Sequence, residues 1–365
     1  MPDLGTRLLL WLGATVPRPA PPYVLHALTS AEVTADREKG DGFQLTFSLV
    51  KDRTLDFPLL REPLFTPGTR VVIGVLTGIV PHILMDGTLI HQQVSGDTLT
   101  LTGQDIVGGV MSLEEKDDTF ENQSDSTIAT RIITRYARFG LIPDVTNTPH
   151  VPLSVQHTPQ QHETDRAFLE RIARRNGFVF YVQPLTLGVN TAHWGPEIRL
   201  GLPQPALSKD MGSMSNVKSL SFSFDALEPV QPQGVFTDPL FKLSLPVPAL
   251  PSLKIPPLAA SPAPALRSTK LRTTAGKDTV AAATELLATA TAAPNAVSGE
   301  GELDTSAYGH VLRPRRLVGI RGCGLSLDGL YLVDSVTHKL ARGEYTQRFR
   351  ISREGLGTTT PGVPI

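Results

Sequence analysis

The chain has 365 residues and an almost balanced charge, with 34 basic and 35 acidic side chains. Proteins that bind nucleic-acid phosphates normally carry a basic excess or patch, so dedicated nucleic-acid binding is not expected. A single cysteine, Cys323, excludes an internal disulfide scaffold and any cysteine-rich zinc or iron–sulfur site. The sequence has no uncharged apolar run of about 18 residues, so no direct membrane span is predicted. The 31 prolines predict many turns and at least one irregular segment.

Residues 1–110 show the pattern of short antiparallel strands. The clearest alternation places Phe43, Leu45 and Phe47 on one face and polar side chains on the other, which is typical of a half-buried strand. Asp86-Gly87 indicates a hairpin turn. The predicted strands of this region are Leu8–Gly13, Val24–Leu28, Glu32–Asp36, Phe43–Leu49, Val71–Thr77, Ile83–Met85, Thr88–Gln92 and Thr98–Thr102. The region is therefore predicted to be a β-barrel or sandwich.

Residues 111–185 have the pattern of a small α/β unit with two helices. The first helix begins at Ser124 or Asp125, carries isoleucines on one face and ends at Gly140. The second lies between residues 164 and 177 and also ends on a glycine, the residue that suits a left-handed helix terminus. A strand at 178–182 follows directly.

Residues 186–365 return to β-strands around an insertion at about 229–309. Between Pro239 and Pro264 prolines are so frequent that a helix or a central strand is excluded, and an extended path is predicted. Apolar side chains between these prolines would be costly in water, so we expect this segment to lie along its own chain or a neighbouring subunit. The candidate subunit-interface residues are Leu243, Leu245, Leu250, Leu253, Ile255 and Leu258.

One helix and a final set of strands are predicted around this insertion. The helix begins at Asp278 and ends before Pro294, and residues 295–310 are predicted to be a loop. A turn is expected at 341–343. The predicted strands are Glu197–Leu202, Leu220–Phe224, Leu317–Arg321, Gly329–Val336 and Tyr345–Ser352.

Motifs for catalysis and metal binding fail on spacing. His162-Glu163 begins like a zinc-protease helix, but Arg166 stands where the second histidine is required. His157 and His162 could share a metal with Glu163, although a solvated loop and helix start is the preferred interpretation. Gly-rich phosphate and dinucleotide fingerprints and a serine-nucleophile elbow are missing from the sequence. We therefore predict no catalytic residue, no cofactor, no metal and no enzymatic activity.

The most distinctive pattern is residues 165–181, Asp-Arg-Ala-Phe-Leu-Glu-Arg-Ile-Ala-Arg-Arg-Asn-Gly-Phe-Val-Phe-Tyr. An acidic start, Phe-Leu, a basic stripe, Asn-Gly and an aromatic strand resemble the hub proteins of contractile tails. These are the phage late-control gene D family and the related VgrG-type baseplate hubs of contractile injection systems. Residues 328–349 resemble the last barrel hairpin of the same hubs, and residues 32–47 resemble their first barrel strands.

This resemblance implies a mainly β fold, with two antiparallel β-barrels flanking a small two-helix α/β unit. Residues 1–110 would form the first barrel, 111–185 the α/β unit, and 186–365 the second barrel, interrupted at about 229–309. It also implies a homotrimer whose pseudo-sixfold ring adapts a hexameric inner tube to a trimeric spike. The chain would be assembled in the cytoplasm and become part of a phage tail or injection particle.

VgrG-type hubs usually continue into an oligosaccharide-binding-fold domain and a β-helical spike, whereas this sequence ends at Ile365. The expected partners are therefore a separate spike protein, an inner-tube protein and other baseplate proteins. Two alternatives remain open. A tail-tip glycan-binding protein would use Trp11 or Trp194 in its contacts. A tail-associated cell-wall hydrolase would use carboxylates paired in space, which sequence spacing does not reveal.

Overall fold

The computed structural model describes residues 6–53, 55–151, 158–237, 244–247, 254–271, 287–293 and 295–360. Within them the chain is mainly β, as the sequence predicts. The strands are β1 (Arg7–Gly13), β2 (Arg18–Pro19), β3 (Leu28–Asp36), β4 (Gly42–Ser48), β5 (Arg70–Thr77), β6 (Val80–Ser95), β7 (Thr98–Asp105), β8 (Glu115–Thr119), β9 (Leu141–Val145), β10 (Gln160–Thr164), β11 (Val179–Thr186), β12 (Val189–Gly195), β13 (Gln204–Ser208), β14 (Val217–Phe224), β15 (Val230–Thr237), β16 (Ser244–Val247), β17 (Ala259–Pro262), β18 (Arg267–Leu271), β19 (Val297–Asp304), β20 (Leu317–Arg321), β21 (Gly329–Ala341), β22 (Glu344–Arg353) and β23 (Gly355–Thr358).

Helices are few and short within the described residues. The α-helices are α1 (Pro22–Ala27), α2 (Ile106–Gly109), α3 (Asp125–Thr134), α4 (Asp165–Arg175), α5 (described residues 287–292) and α6 (Thr305–Tyr308). Single 3₁₀ turns are formed by Pro58–Arg61, Pro63–Phe65, Ala137–Phe139 and Gly212–Met214.

Thirteen strands belong to one sheet, in the order β14-β19-β22-β21-β3-β4-β7-β6-β5-β1-β2, with β20 beside β21 and β13 beside β20. The two predicted barrels correspond to two parts of this sheet, which join where β3 pairs with β21. Among the described strands neither part closes on itself. The sequence-based prediction of a mainly β protein with a two-helix insert is confirmed, and its two β parts are continuous.

Three large hydrophobic clusters and one small one, around Leu258, form the core of the described residues. The first packs β1 and β3 to β7 and includes the Phe47 and Phe65 rings, whose centres are 5.2 Å apart. The second runs from Ile106 to Trp194 and surrounds α3 and α4. The third lies under β14 and β19 to β22. Because the second cluster extends beyond residues 111–185 at both ends, we propose that the α/β unit also includes α2 and β12.

The insert has the two predicted helices. Ser124 caps α3 by accepting a hydrogen bond from the Thr127 amide, and Thr164 caps α4 in the same way. The chain turns away at Gly140 and Gly177, whose φ angles are +74° and +68°, in the left-handed region that glycine adopts without strain. Strands β9, β11 and β12 pack beside these helices, and β8 pairs with β10.

The predicted hairpin at Asp86-Gly87 is wrong, because β6 runs through both residues without a turn. A side chain at Gly87 would place its Cβ 2.1 Å from the Gln104 carbonyl oxygen, so glycine is required here for a close approach of two strands. Asp86 is held by Arg70 on the neighbouring strand. The dipeptide therefore serves packing within the sheet.

Three further predictions are corrected. Residues 24–27 belong to helix α1, because Pro22 at its first position fixes a helical φ and lacks the amide that a strand would need. Residues 297–304, predicted as a loop, form β19 in the middle of the large sheet. Residues 197–202 form no strand, because buried charged side chains hold this segment instead.

The described parts of the proline-rich insertion are extended, as predicted. β15 pairs with β16 and β18 in a small separate sheet, and β17 pairs with β23. β16 and β17, which contain Pro246 and Pro262, are edge strands, where a missing amide costs no ladder hydrogen bond. Of the helix predicted from Asp278 to Pro294, the described residues 287–292 are helical, and the rest lies outside the described residues.

Candidate assembly surface

Eight consecutive strands, β14-β19-β22-β21-β3-β4-β7-β6, form what we term the eight-strand segment. Each pair in it is antiparallel, and side chains alternate between the hydrophobic clusters and a second, polar face. Side chains on the polar face are exposed or half-buried. They include Ser221, Glu300, Glu302, Arg348, Thr337, Lys339, Glu32, Thr34, Gln44, Thr46, Thr100, Thr102, His91 and Gln93.

The polar face continues without a break across the junction of the two β parts. Residues 335–341 of β21 pair with residues 30–36 of β3. The Thr34 and Thr337 hydroxyls hydrogen-bond across this junction at 3.0 Å. Arg348 donates to Glu302 on the next strand at 2.9 Å, so charges of opposite sign meet within the face. The face is therefore wet, hydrogen-bonding and locally neutral.

A buried arginine fixes the end of the junction at Asp36 and Asp41. The Arg315 guanidinium donates to both carboxylate oxygens of Asp41, at 3.0 and 2.7 Å, and to the Asp36 carbonyl oxygen at 2.9 Å. It lies 4.7 Å from the centre of the Tyr181 ring, a cation–π distance. Because these residues come from both β parts and from β11, Arg315 ties three regions of the chain together.

Asp105 is a buried carboxylate beside this arginine cluster. Its side chain caps α2 by accepting the Gly108 amide at 2.8 Å. Burial, with the nearby Asp41 charge adding to it, raises the pKa of Asp105 to about 7. Asp105 and Arg166 line a surface recess of about 340 Å³ at this end of the polar face. The arrangement gives the junction a carboxyl group that changes charge near neutral pH.

A second buried arginine joins the first β part to the α/β unit. Arg70 donates to both oxygens of Asp86, at 2.8 and 2.6 Å, and to the Phe139 carbonyl oxygen at 2.7 Å. Asn190 on β12 donates to the same carboxylate at 2.8 Å. The buried charges of Arg70 and Asp86 therefore satisfy one another, as burial of charge requires. The cluster holds β5 and β6 against the insert.

A network of four charges replaces the strand that was predicted at 197–202. Arg37 lies 2.7 Å from Glu197, which also pairs with Arg199 at 2.8 Å. Arg199 is almost fully buried and contacts Glu354 at 3.1 Å. Although burial opposes ionisation, the two arginines lower the pKa of Glu197 below its ordinary value. The segment is thus positioned by side-chain ion pairs rather than by a strand ladder.

Asp165 organises the α/β unit from the first turn of α4. Tyr136 and Gln161 donate to its carboxylate at 2.7 Å each, and Lys116 and Arg135 lie 3.0 and 3.2 Å away. Burial alone would raise the pKa of Asp165, but these hydrogen bonds and charges lower it below its ordinary value. This acidic start belongs to the pattern that the sequence resemblance singled out, and here it has a structural role.

A cavity of about 490 Å³ lies beside the proline-rich insertion. Its lining is mostly proline and alanine, with Lys254 and Glu354 as charged groups. Lys254 donates to the Ala293 carbonyl and, at 2.6 Å, to the Asn295 side chain. Burial, with Arg199 adding to it, lowers the pKa of Lys254 to about 8. The polar groups of this cavity are engaged in holding the insertion against the second β part.

The candidate interface residues differ in their placement. Leu258 is 2% exposed and packs within the chain against Leu317 and Leu332. Ile255 is 66% exposed. Leu245 lies in β16, with its side chain outside the description, and Leu243, Leu250 and Leu253 lie outside the described residues. Ile255 is therefore the described member whose apolar side chain is mostly exposed on this chain.

The described residues contain no group of three His, Cys, Asp or Glu side chains arranged to hold a metal ion. His162 contacts Asp117 at 2.7 Å in an exposed pair, and His157 lies outside the described residues. In the same described part of the chain, no helix has the length and apolar composition to cross a membrane.

Comparison with known proteins shows that this chain resembles others in structure but not in sequence. No family model matches the sequence, and no curated protein matches it. A tail protein from Neisseria meningitidis MC58 superposes with a TM-score of 0.64 at 14% identity, covering 97% of this chain and 98% of that one. The 43 kDa tail protein of prophage MuSo2 from Shewanella oneidensis gives 0.62 at 15% identity, covering 96% and 98%.

A third structure extends the likeness to secretion systems. The E. coli c3393 protein, described as a component of the type VI secretion system with structural similarity to the T4 tail proteins gp27 and gp5, gives a TM-score of 0.53 at 11% identity. The match covers 92% of this chain and 77% of that one. The chain therefore has the fold of phage tail and type VI secretion proteins over nearly its whole length.

Proposed function

We propose that this chain is a non-enzymatic structural hub of a contractile tail or injection-system baseplate. Three copies form a ring, and the polar face of the eight-strand segment lines its central channel. The observation that carries the proposal is this face, which runs unbroken across two β parts in a fold shared with tail proteins. A channel wall needs one dry face against a core and one wet face, and the segment has both.

The chemistry of the polar face supports a channel rather than a binding cleft. Hydroxyl and amide side chains dominate, and the charged ones pair with opposite charges, as Arg348 does with Glu302. Lys339 likewise stands opposite Glu32 in the register of β21 on β3. Such a lining offers no strong field to capture either charge sign. It suits a channel through which other molecules pass without binding to the wall.

The two β parts support a role between assemblies of different symmetry. Each part supplies four strands of the segment, so three copies present six similar units around one axis. We propose that one end of this homotrimer meets a hexameric inner tube and the other a separate trimeric spike protein. Other baseplate proteins would surround the ring. The chain would then be assembled in the cytoplasm and carried in the finished particle.

The decisive measurement is the absolute mass of the purified protein by light scattering over a concentration series. The expected result is three times the chain mass of 39.4 kDa, unchanged on dilution. Electron microscopy of the same sample should show a ring with an open centre. A monomer that stays monomeric when it is co-expressed with the neighbouring spike and tube proteins would contradict the proposal.

A further inference from the structure

The eight-strand segment has two unpaired edges. At one end, β14 has β19 as its sole strand partner among the described strands. At the other end, β6 pairs with β7 over its second half, but β5 covers β6 through residues 80–88 alone. Two further backbone bonds hold Leu89 to residues 68 and 69. From Ile90 to Ser95, the side of β6 that faces away from β7 therefore has no strand partner among the described residues.

The chain contains an internal template for covering such an edge. β21 divides its two halves between different strands, since residues 329–332 pair with β20 and residues 335–341 pair with β3. β6 divides in the same way, with its first half on β5 and its second half open. The segment consists of two four-strand units, β14-β19-β22-β21 and β3-β4-β7-β6. When the two units are aligned strand by strand, β14 corresponds to β3 and β21 corresponds to β6.

We propose that β14 of one copy pairs antiparallel with the second half of β6 of the next copy, in the register of β3 on β21. This inference rests on the proposed trimeric hub and names the contact that closes its ring. Rotation about the ring axis preserves strand direction. Because the segment has an even number of strictly antiparallel strands, its first and last strands run in opposite directions and meet as an antiparallel pair.

Equivalent positions on β6 and β21 follow from the hairpins that end them. Ser95 and Ala341 are the last paired residues before the two turns. Counting back four residues from each makes His91 the counterpart of Thr337. Both side chains lie on the polar face, so the equivalence also preserves the alternation of faces.

Equivalent positions on β14 and β3 follow from the ladders beside them. Through its partner on β4, Thr34 is aligned with Gln104, the seventh residue of β7. Through its partner on β19, Ser221 is aligned with Arg350, the seventh residue of β22. Thr34 and Ser221 are therefore counterparts. Since Thr34 stands opposite Thr337, the template places Ser221 of one copy opposite His91 of the next.

The side chains at the two edges match on the core-facing side. Ile90 on β6 is 44% exposed, and the proposed register sets it opposite Phe222, a half-buried ring on β14. These two apolar side chains would contact one another across the new junction. On the other side Ser221 and His91 continue the polar face.

Disulfide trapping tests the register directly. In a Cys323→Ser background, His91→Cys with Ser221→Cys places the two Cβ atoms within reach of a disulfide across the new junction. The matched control is Gln93→Cys with Ser223→Cys, on the same strands but four residues out of register, roughly 13 Å apart. Mild oxidation should convert the first variant into covalent trimers on a non-reducing gel and leave the control as single chains.

The outcomes separate this inference from the proposed function. A trimer by light scattering that forms no disulfide at the first pair, or forms it equally in the control, overturns the strand pairing and leaves the hub proposal standing. A protein that stays monomeric with its tail partners overturns both. Hydrogen exchange on the unmodified trimer gives a second measurement, since amides of β14 and of residues 90–95 should be protected like those of β3. Rapid exchange there overturns the pairing.

Discussion

Thr34 and Thr337 share a hydrogen bond of 3.0 Å although 303 positions separate them in the chain. The bond marks the place where strands from the two ends of the sequence become neighbours in one sheet. Both hydroxyls lie on the polar face, and Arg315 holds the end of the same junction through Asp36 and Asp41. The junction is therefore the point at which the two β parts become one surface.

Removing the buried arginine at this junction should destabilise the whole chain. Arg315→Met leaves the Asp41 carboxylate buried without its partner, and we expect a loss of about 3–5 kcal/mol in the free energy of unfolding. The neighbouring Arg316 is exposed, so Arg316→Met is the matched control and should change little. Urea unfolding followed by circular dichroism measures both. Equal effects of the two substitutions would contradict the assignment.

The close approach at Gly87 predicts that even the smallest side chain is harmful there. In Gly87→Ala the new Cβ would meet the Gln104 carbonyl oxygen, which must move, and we expect a cost of about 1–3 kcal/mol. Gln44→Ala, at an exposed position of the same sheet, should be nearly neutral. Thermal and urea unfolding of the two variants would show the difference. A Gly87→Ala variant as stable as the wild type would contradict the close approach of the two strands.

The raised pKa of Asp105 predicts a specific pH dependence of stability. In the unfolded chain this carboxyl loses its proton near pH ~4, whereas in the fold it does so at about 7. Between these values the folded state binds more protons, so the free energy of unfolding falls as pH rises. Asp105→Asn keeps an acceptor for the Gly108 amide and removes the titration.

The measurement for Asp105 compares unfolding at pH 5 and pH 8. Wild type should lose more stability over this interval than Asp105→Asn, by about 2–3 kcal/mol. Above pH 8 the two curves should run parallel, because the carboxyl is then ionised in both states. Superimposable pH profiles would mean that Asp105 is ionised throughout and that the cluster compensates its charge.

Asp165 predicts a dependence of the opposite sign. Its pKa is lowered in the fold, so its contribution is present above the unfolded value near ~4 and is lost as pH falls through the folded value. At pH 7, Asp165→Asn should cost about 2–3 kcal/mol, because charged donors lose their acceptor. Asp117→Asn, at a highly exposed carboxylate, is the control. The gap between Asp165→Asn and wild type should close in acid, and a gap that is constant with pH would argue against an ionised Asp165.

The elements that could be predicted from the sequence are those with local signals. Helices α3 and α4 have local caps, apolar stripes and terminal glycines, and the predicted bounds of α4 agree with the structure to within two residues. The start of α3 is also correct, but α3 ends at Thr134, and a short 3₁₀ turn leads on to the predicted end at Gly140. The final strands β20, β21 and β22 alternate clearly and were also found. The resemblance to tail hubs gave the order of the β parts and the insert, and the fold agrees with it.

What could not be predicted depends on partners distant in sequence. The sequence Asp86-Gly87 predicted a turn. Glycine is needed there because the neighbouring strand approaches closely at Gln104, and the sequence carries no sign of that neighbour. Residues 297–304 are rich in glycine and glutamate, yet they form β19 because β14 and β22 enclose them on both sides. The pair of Arg315 and Asp41 spans 274 positions and has no motif. The sequence indicates such buried ion pairs weakly, through charged residues that flank a predicted strand.

The pairing of β3 with β21 also fixes an order of events during synthesis. β3 is synthesised early, but β21, which pairs with it, is translated about 300 residues later. One edge of β3 therefore has no β21 to pair with during most of translation. Contacts of such high sequence separation make folding slow. Glu32, which projects from the waiting strand, gives it a charge that discourages pairing with a foreign chain. The nascent chain thus completes its first half only after its last strands have been made.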